Sequence, residues 1–156
     1  MVDESEGRVF DSSALDQRSY QLGMIYAFAE IVGSGCKRLA LSPSLTVKQF
    51  DSIRDDVRLI AEEYGLILDV DDDFLITQLF NPEYTRGKRV IYIAADQATL
   101  DEYRRLKELR KRSLEEGALT KEVELELAWG LGRLLSYSDE AIRGLLDKPR
   151  FSSITN

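Results

Sequence analysis

Apolar positions along this chain follow two different periods, and the switches between them mark out its elements. Leu15, Leu22, Ile25, Phe28, Ala29 and Val32 stand at helical spacing. That spacing predicts a first helix starting near Ser13, an N-capping residue with Asp16 three positions on. Met24, Tyr26 and Ile31 fill most of the remaining faces between Leu22 and Val32. A helix apolar on nearly every side needs cover from more than one direction, by its own domain or by a second subunit. Gly33, Ser34 and Gly35 end it, since glycine accepts the left-handed backbone of a helix terminus.

Arg38-Leu39-Ala40-Leu41 then forms a short apolar run, expected to be a buried strand and broken by Ser42, Pro43 and Ser44. Thr46 and Gln49 make a capping-box pair, in which hydroxyl and amide each satisfy an unpaired backbone N–H. Val47, Phe50, Ile53, Val57, Ile60, Ala61 and Tyr64 follow at three- and four-residue steps, with Lys48, Asp51, Asp55, Arg58 and Glu62 between them. This is an amphipathic helix, ended by Gly65. Three apolar segments come next without a helical period: Leu66–Val70, Phe74–Phe80 and Arg89–Ala94. Asp71, Asp72 and Asp73 supply turn chemistry after the first, and the Pro- and Gly-containing stretch 81–88 a loop before the third.

The last third is helical in pattern. Leu100, Tyr103, Leu106 and Leu109 predict a helix over about 98–115, stopped by Gly117. Thr120 and Ser138 cap two more, the first running to Leu135 and the second carrying Ile142, Leu145 and Leu146 inward. Trp129 and Tyr137 are expected in the core of this helical layer. The fold expected is α+β, or α/β with a mixed sheet. It has about four strands in a β-α-β-β-β core, an N-terminal apolar helix and a C-terminal three-helix layer. One domain over 11–148 is expected between a disordered tail at 1–10 and a loose C-terminus at 149–156.

Composition narrows the chemistry. There is no histidine in 156 residues and one cysteine, Cys36. Histidine-based triads, histidine general bases and Cys/His zinc sites are therefore excluded. No metal and no cofactor is expected, and an enzyme would have to use carboxylates, lysine, tyrosine or serine–lysine chemistry. A lone cysteine points to a reducing, cytoplasmic setting, and to a small buried apolar side chain rather than a nucleophile. The N-terminus lacks the basic and apolar regions of a signal peptide. The longest apolar stretch is too short to cross a bilayer and holds Glu30.

The formal net charge is −7, which does not suit a phosphate backbone as main partner. Residues 1–80 hold 7 Lys/Arg and 15 Asp/Glu, whereas 81–156 hold 14 and 13, so positive charge gathers late. Arg104, Arg105, Lys107, Arg110, Lys111 and Arg112 form a basic helix, with Arg104, Lys107 and Lys111 on one face. Interleaved Asp101, Glu102, Glu108 and Glu115 favour a solvated, salt-bridged surface over a nucleic-acid surface. The run Asp69, Asp71, Asp72, Asp73 starts like a calcium loop. However, Phe74 stands where glycine is needed and Phe80 where a bidentate glutamate is needed. A solvated turn is the expectation.

One strand–turn–helix remains. Ser42, Ser44 and Thr46 place hydroxyls at a helix N-terminus, where N–H groups and the dipole favour an anion. A Ser-Pro turn and a threonine cap explain the same residues without a ligand. Arg86 and Lys88 in the later loop would complete an anion site if the two segments met. The expected function is thus a non-catalytic interaction or oligomerisation domain, expected to act as a homo-oligomer. A small anion- or nucleotide-binding protein using Ser42, Ser44, Thr46, Arg86 and Lys88 is the alternative. A nucleic-acid accessory role through residues 104–112 comes third.

Overall fold

A computed structural model describes residues 10–148. The expectations for the tail at 1–10 and for 149–156 fall outside the described residues, Phe10 apart. The elements in chain order are α1 (Gln17–Gly33), β1 (Leu39–Leu41), α2 (Val47–Tyr64), β2 (Ile67–Asp71), β3 (Val90–Ala94), α3 (Gln97–Glu115), α4 (Lys121–Leu134) and α5 (Asp139–Asp147), with short 3-10 turns at Ser12–Ala14 and Pro82–Tyr84. The fold is mixed α+β. None of its helices is long and apolar enough to cross a membrane, among the described residues.

The sheet has three strands in the order β1-β3-β2, and both outer strands run antiparallel to β3. β1 and β2 are therefore parallel to each other, joined by α2, with β3 inserted between them. β3 is buried along its whole length, which explains its unbroken apolar run Val90-Ile91-Tyr92-Ile93-Ala94. Successive side chains of a strand point to opposite faces. Ile91 and Ile93 accordingly join Ile25, Val32, Ile53 and Val57 of α1 and α2. Val90, Tyr92 and Ala94 join Leu100, Tyr103, Leu131 and Ile142 of α3, α4 and α5.

The structure corrects two expectations. Phe74–Phe80 is not a strand of the sheet but an irregular cover over its α3-side face. Phe74, Leu75 and Leu79 are all buried in that one cluster, so the alternation of a two-faced strand is missing. Its backbone donors go to side chains: Leu75 N–H to the Tyr103 hydroxyl at 3.0 Å, and Leu79 N–H to Thr77 Oγ1 at 3.2 Å. A buried apolar run satisfied in this way has the same composition as a strand. The first helix, moreover, is capped by Asp16 and not by Ser13. The Asp16 carboxylate accepts from Ser19 N–H at 3.1 Å, while Ser13 lies in the preceding 3-10 turn, capped by Asp11. Leu15 is consequently exposed.

Other signals hold at the residue. Thr46 and Gln49 form the reciprocal capping box, at 3.1 and 2.9 Å. Thr120 and Ser138 cap α4 and α5. Gly65 ends α2 with φ +65°. At Gly132 a Cβ would lie 2.6 Å from the Ile142 side chain of α5, so glycine sets how closely α5 approaches α4.

α1 is covered on two sides and borders a cavity on a third. Ile25, Ala29 and Val32 are buried under it. On one flank the Tyr26 hydroxyl donates to Glu63 at 3.2 Å, its ring meets Tyr64 edge-on at 5.7 Å, and Gly33 lets the Tyr64 ring lie close. The other flank, at Met24 and Phe28, borders a cavity.

Candidate functional site

The strand–turn–helix after β1 is built from its own hydroxyls. Ser42 N–H donates to the Ile91 carbonyl at 2.9 Å, and Ile91 N–H donates to Ser42 Oγ at 2.9 Å. The serine hydroxyl thus extends the β1–β3 ladder by one position before Pro43, whose carbonyl accepts its proton at 2.8 Å. Leu45 and Arg89 then exchange both backbone hydrogen bonds, at 2.8 and 2.7 Å. This bridge answers the question left by the sequence: the turn at 42–46 and the loop at 84–89 do meet. Arg89 also sets its guanidinium 5.0 Å from the centroid of the Phe50 ring at the start of α2.

The five residues picked out in the sequence fare differently within this junction. Ser42 is buried and used in the ladder, and Thr46 is exposed and used in the cap. Ser44 is half-buried in the same turn. Arg86 pairs with Glu83 at 2.8 Å on the exposed side of the loop. Lys88 holds its ammonium 5.9 Å from the centroid of the Tyr84 ring. The Leu45–Arg89 bridge brings their segments together, but the Ser42 and Thr46 hydroxyls face backbone.

Beside this junction opens a cavity of about 220 Å³. Met24 and Phe28 come from α1, Leu41, Ser42 and Pro43 from the turn, and Phe74 and Phe80 from the irregular cover. Tyr84 and Thr85 come from the loop, Leu135 and Tyr137 from the end of α4, with Lys37, Ala40 and Val90 completing the walls. Most of that lining is carbon. Lys37 is the one charged residue among the described lining residues, and its ammonium sits 5.2 Å from the centroid of the Tyr137 ring. Of the five candidate site residues read from the sequence, only Ser42 lines the cavity. Six stretches of chain contribute a wall, and no local pattern links them.

A second constellation lies on the opposite edge of the sheet. Asp69 and Asp71, two apart on β2, share a face and meet the basic face of α3. Arg104 pairs with Asp69 at 2.8 Å and Lys107 with Asp71 at 2.7 Å. The acidic turn and the basic helix, read as two separate features of the sequence, are the two sides of one seam. Asp71 Oδ2 also accepts from the Tyr92 hydroxyl at 2.7 Å and the Tyr103 hydroxyl at 3.0 Å, and its Oδ1 from Asp73 N–H at 2.8 Å. The Tyr92 and Tyr103 hydroxyl oxygens also lie within hydrogen-bond distance of each other.

Charge states follow from this packing. Burial alone acts to raise the Asp71 carboxyl, but hydrogen bonds from Lys107, Tyr92 and Asp73 N–H outweigh it and hold the group below the usual carboxylate range. Burial first, and then the neighbouring phenol and carboxylate, push Tyr92 well above an ordinary phenol. Burial also dominates at Tyr103, which is raised too. The tyrosines stay neutral and the aspartate ionised through the physiological range. This arrangement locks the seam between β2 and α3. Cys36, expected to be buried, is exposed at the end of α1, where the Ser34 hydroxyl donates to its sulfur at 3.4 Å. The glycine-rich helix stop carries it out of the core. No protein-family model, curated protein or solved structure matches this chain.

Proposed function

We propose that the protein is a non-catalytic binding module, and that the cavity beside α1 receives a small, mostly apolar molecule. The cavity carries this reading: about 220 Å³ of space, walled chiefly by carbon. Small-molecule sites are typically concave and apolar, with a few fixed polar groups. A void of about 150 Å³ already takes up benzene. The ionisable side chains elsewhere support a binding role over a reaction, since Asp69, Asp71, Arg104 and Lys107 are spent on one another. The same pairing commits two of the three cations on the face once considered for nucleic acid.

The test is a thermal-shift titration with neutral probes, octanol and benzyl alcohol, on the wild type and on two variants that fill the cavity from different walls, Met24→Trp and Thr85→Phe. A probe at 100 times its dissociation constant stabilises by about 2.7 kcal/mol, a shift of about 5–10 °C for a chain of this size. Saturable stabilisation is expected in the wild type and its loss in both variants. The same response in all three proteins, or none in the wild type, sinks the reading.

A second reading, self-association through α1, rests on Tyr26 and Ile31, which are 42% and 38% exposed. Light scattering of the ligand-free protein decides it. A monomer mass at micromolar concentration removes it, and a dimer broken by Ile31→Glu establishes it.

A further inference from the structure

Resting on the cavity reading, we infer that the ligand is an aromatic molecule of one ring or two fused rings, and that its ring packs against Phe28. Two observations converge on this chemistry. Phe28 of α1 and Phe74 and Phe80 of the irregular cover border one space, so two distant parts of the chain present phenyl rings to it. Phe74 already meets Phe80 edge-on at 6.3 Å and stacks on Tyr92 at 6.3 Å, and the cavity thus borders an existing cluster of rings. Phe28 itself is half-buried. Among the described residues it is the one aromatic side chain with neither a second ring nor a cation against it.

A ring placed there supplies the partner that Phe28 lacks. Aromatic pairs in offset or edge-on contact add about 2–10-fold in affinity beyond the area they bury. Met24, one turn before Phe28 on the same face of α1, brings a polarisable sulfur to the same wall. A flexible acyl chain would fill the space but gain area alone and lose rotational freedom on binding. A polyphosphate would set several charges against phenyl rings, and a buried charge without a partner is costly. Size sets the upper limit. A void of about 150 Å³ takes up benzene, so about 220 Å³ gives room for a substituted ring or two fused rings.

The experiment compares matched pairs, benzyl alcohol with cyclohexylmethanol and naphthalenemethanol with its decahydro counterpart, by calorimetry on wild type, Phe28→Leu and Phe28→Tyr. The saturated member of each pair is the more apolar, so burial of area alone would rank it first. Each aromatic alcohol is instead expected to bind wild type about 2–10-fold tighter than its saturated partner. That preference should vanish in Phe28→Leu, which keeps an apolar side chain of similar volume, and persist in Phe28→Tyr, which keeps the ring. Met24 gives a reading on wild type that needs no variant: ring current should move its methyl resonance much further with each aromatic alcohol than with its saturated partner. Equal or tighter binding of the saturated alcohols to wild type overturns the aromatic inference and leaves the cavity reading standing. A preference retained in Phe28→Leu overturns the role given to Phe28, and equal Met24 shifts within a pair overturn the placement of the ring at this wall. Absence of binding by all four compounds removes the cavity reading, and this inference with it.

Discussion

Asp71→Ala is expected to destabilise the protein by about 3 kcal/mol, because one carboxylate closes the seam between β2 and α3. Its loss deprives the Tyr92 and Tyr103 hydroxyls of their shared acceptor and leaves the Lys107 ammonium without its partner. Tyr92 and Tyr103 are 1% and 2% exposed, so water cannot replace the acceptor. A buried polar group left without a partner costs about 1–3 kcal/mol. Lys107 adds less, since its side chain keeps about a third of its exposure and rehydrates. Asp71→Asn keeps an acceptor and loses the charge, so its cost should fall between wild type and alanine. Urea unfolding of the three proteins checks this. A loss below about 1 kcal/mol for the alanine variant would mean that the seam contributes packing alone.

Stability should also fall steeply on the alkaline side. Tyr92 and Tyr103 are both raised above the ordinary phenol value of 10.0. In the unfolded chain they ionise near that value, while in the folded protein they remain protonated. Above pH 10 the folded state therefore binds more protons, and raising pH favours unfolding. The contribution is fully present below the unfolded value and is lost as pH climbs from there toward the folded values. Each phenol contributes a slope of about 1.4 kcal/mol per pH unit, or about 2.7 for the pair. Asp71 works in the opposite direction. Its carboxyl is lowered, so its contribution is present above the unfolded carboxylate value and is lost as pH falls through the folded one. Unfolding midpoints between about pH 8 and about pH 11.5, followed with tyrosinate absorbance, test the alkaline arm. Tyr92 and Tyr103 should ionise only as the protein unfolds, and Tyr92→Phe should lower the slope by about 1.4 kcal/mol per pH unit. A flat profile would show that these phenols ionise in the folded protein.

Legibility in the sequence tracked how local the controlling physics is. The capping box at Thr46 and Gln49, the caps at Thr120 and Ser138 and the stop at Gly65 each depend on a few neighbouring residues, and each is found where the pattern places it. Asp16 displaced Ser13 as the first cap by a shift of three residues, because Asp11 draws Ser13 into a separate turn. The segment 74–80 went further astray. Its composition is that of a strand, but its N–H groups are claimed by Tyr103 and Thr77. The claim of Tyr103, 28 residues away from Leu75, is invisible locally.

The candidate site divides in the same way. The segments that carry Ser42, Ser44, Thr46, Arg86 and Lys88 meet at the Leu45–Arg89 bridge. Three features escaped the linear reading: the cavity behind that junction, the position of Lys37 on its wall and the joining of Asp69 and Asp71 to Arg104 and Lys107. By itself the sequence determined the helices, most of their ends, the mixed α+β class and the absence of histidine chemistry. These follow from backbone hydrogen bonding, periodicity and composition, all of which act within a few residues. Only the tertiary structure decided the strand order and the number of strands. It alone also decided which charges neutralise each other and where an apolar space was left open. Those outcomes depend on distant segments competing for the same partners, and that competition is resolved when the layers pack.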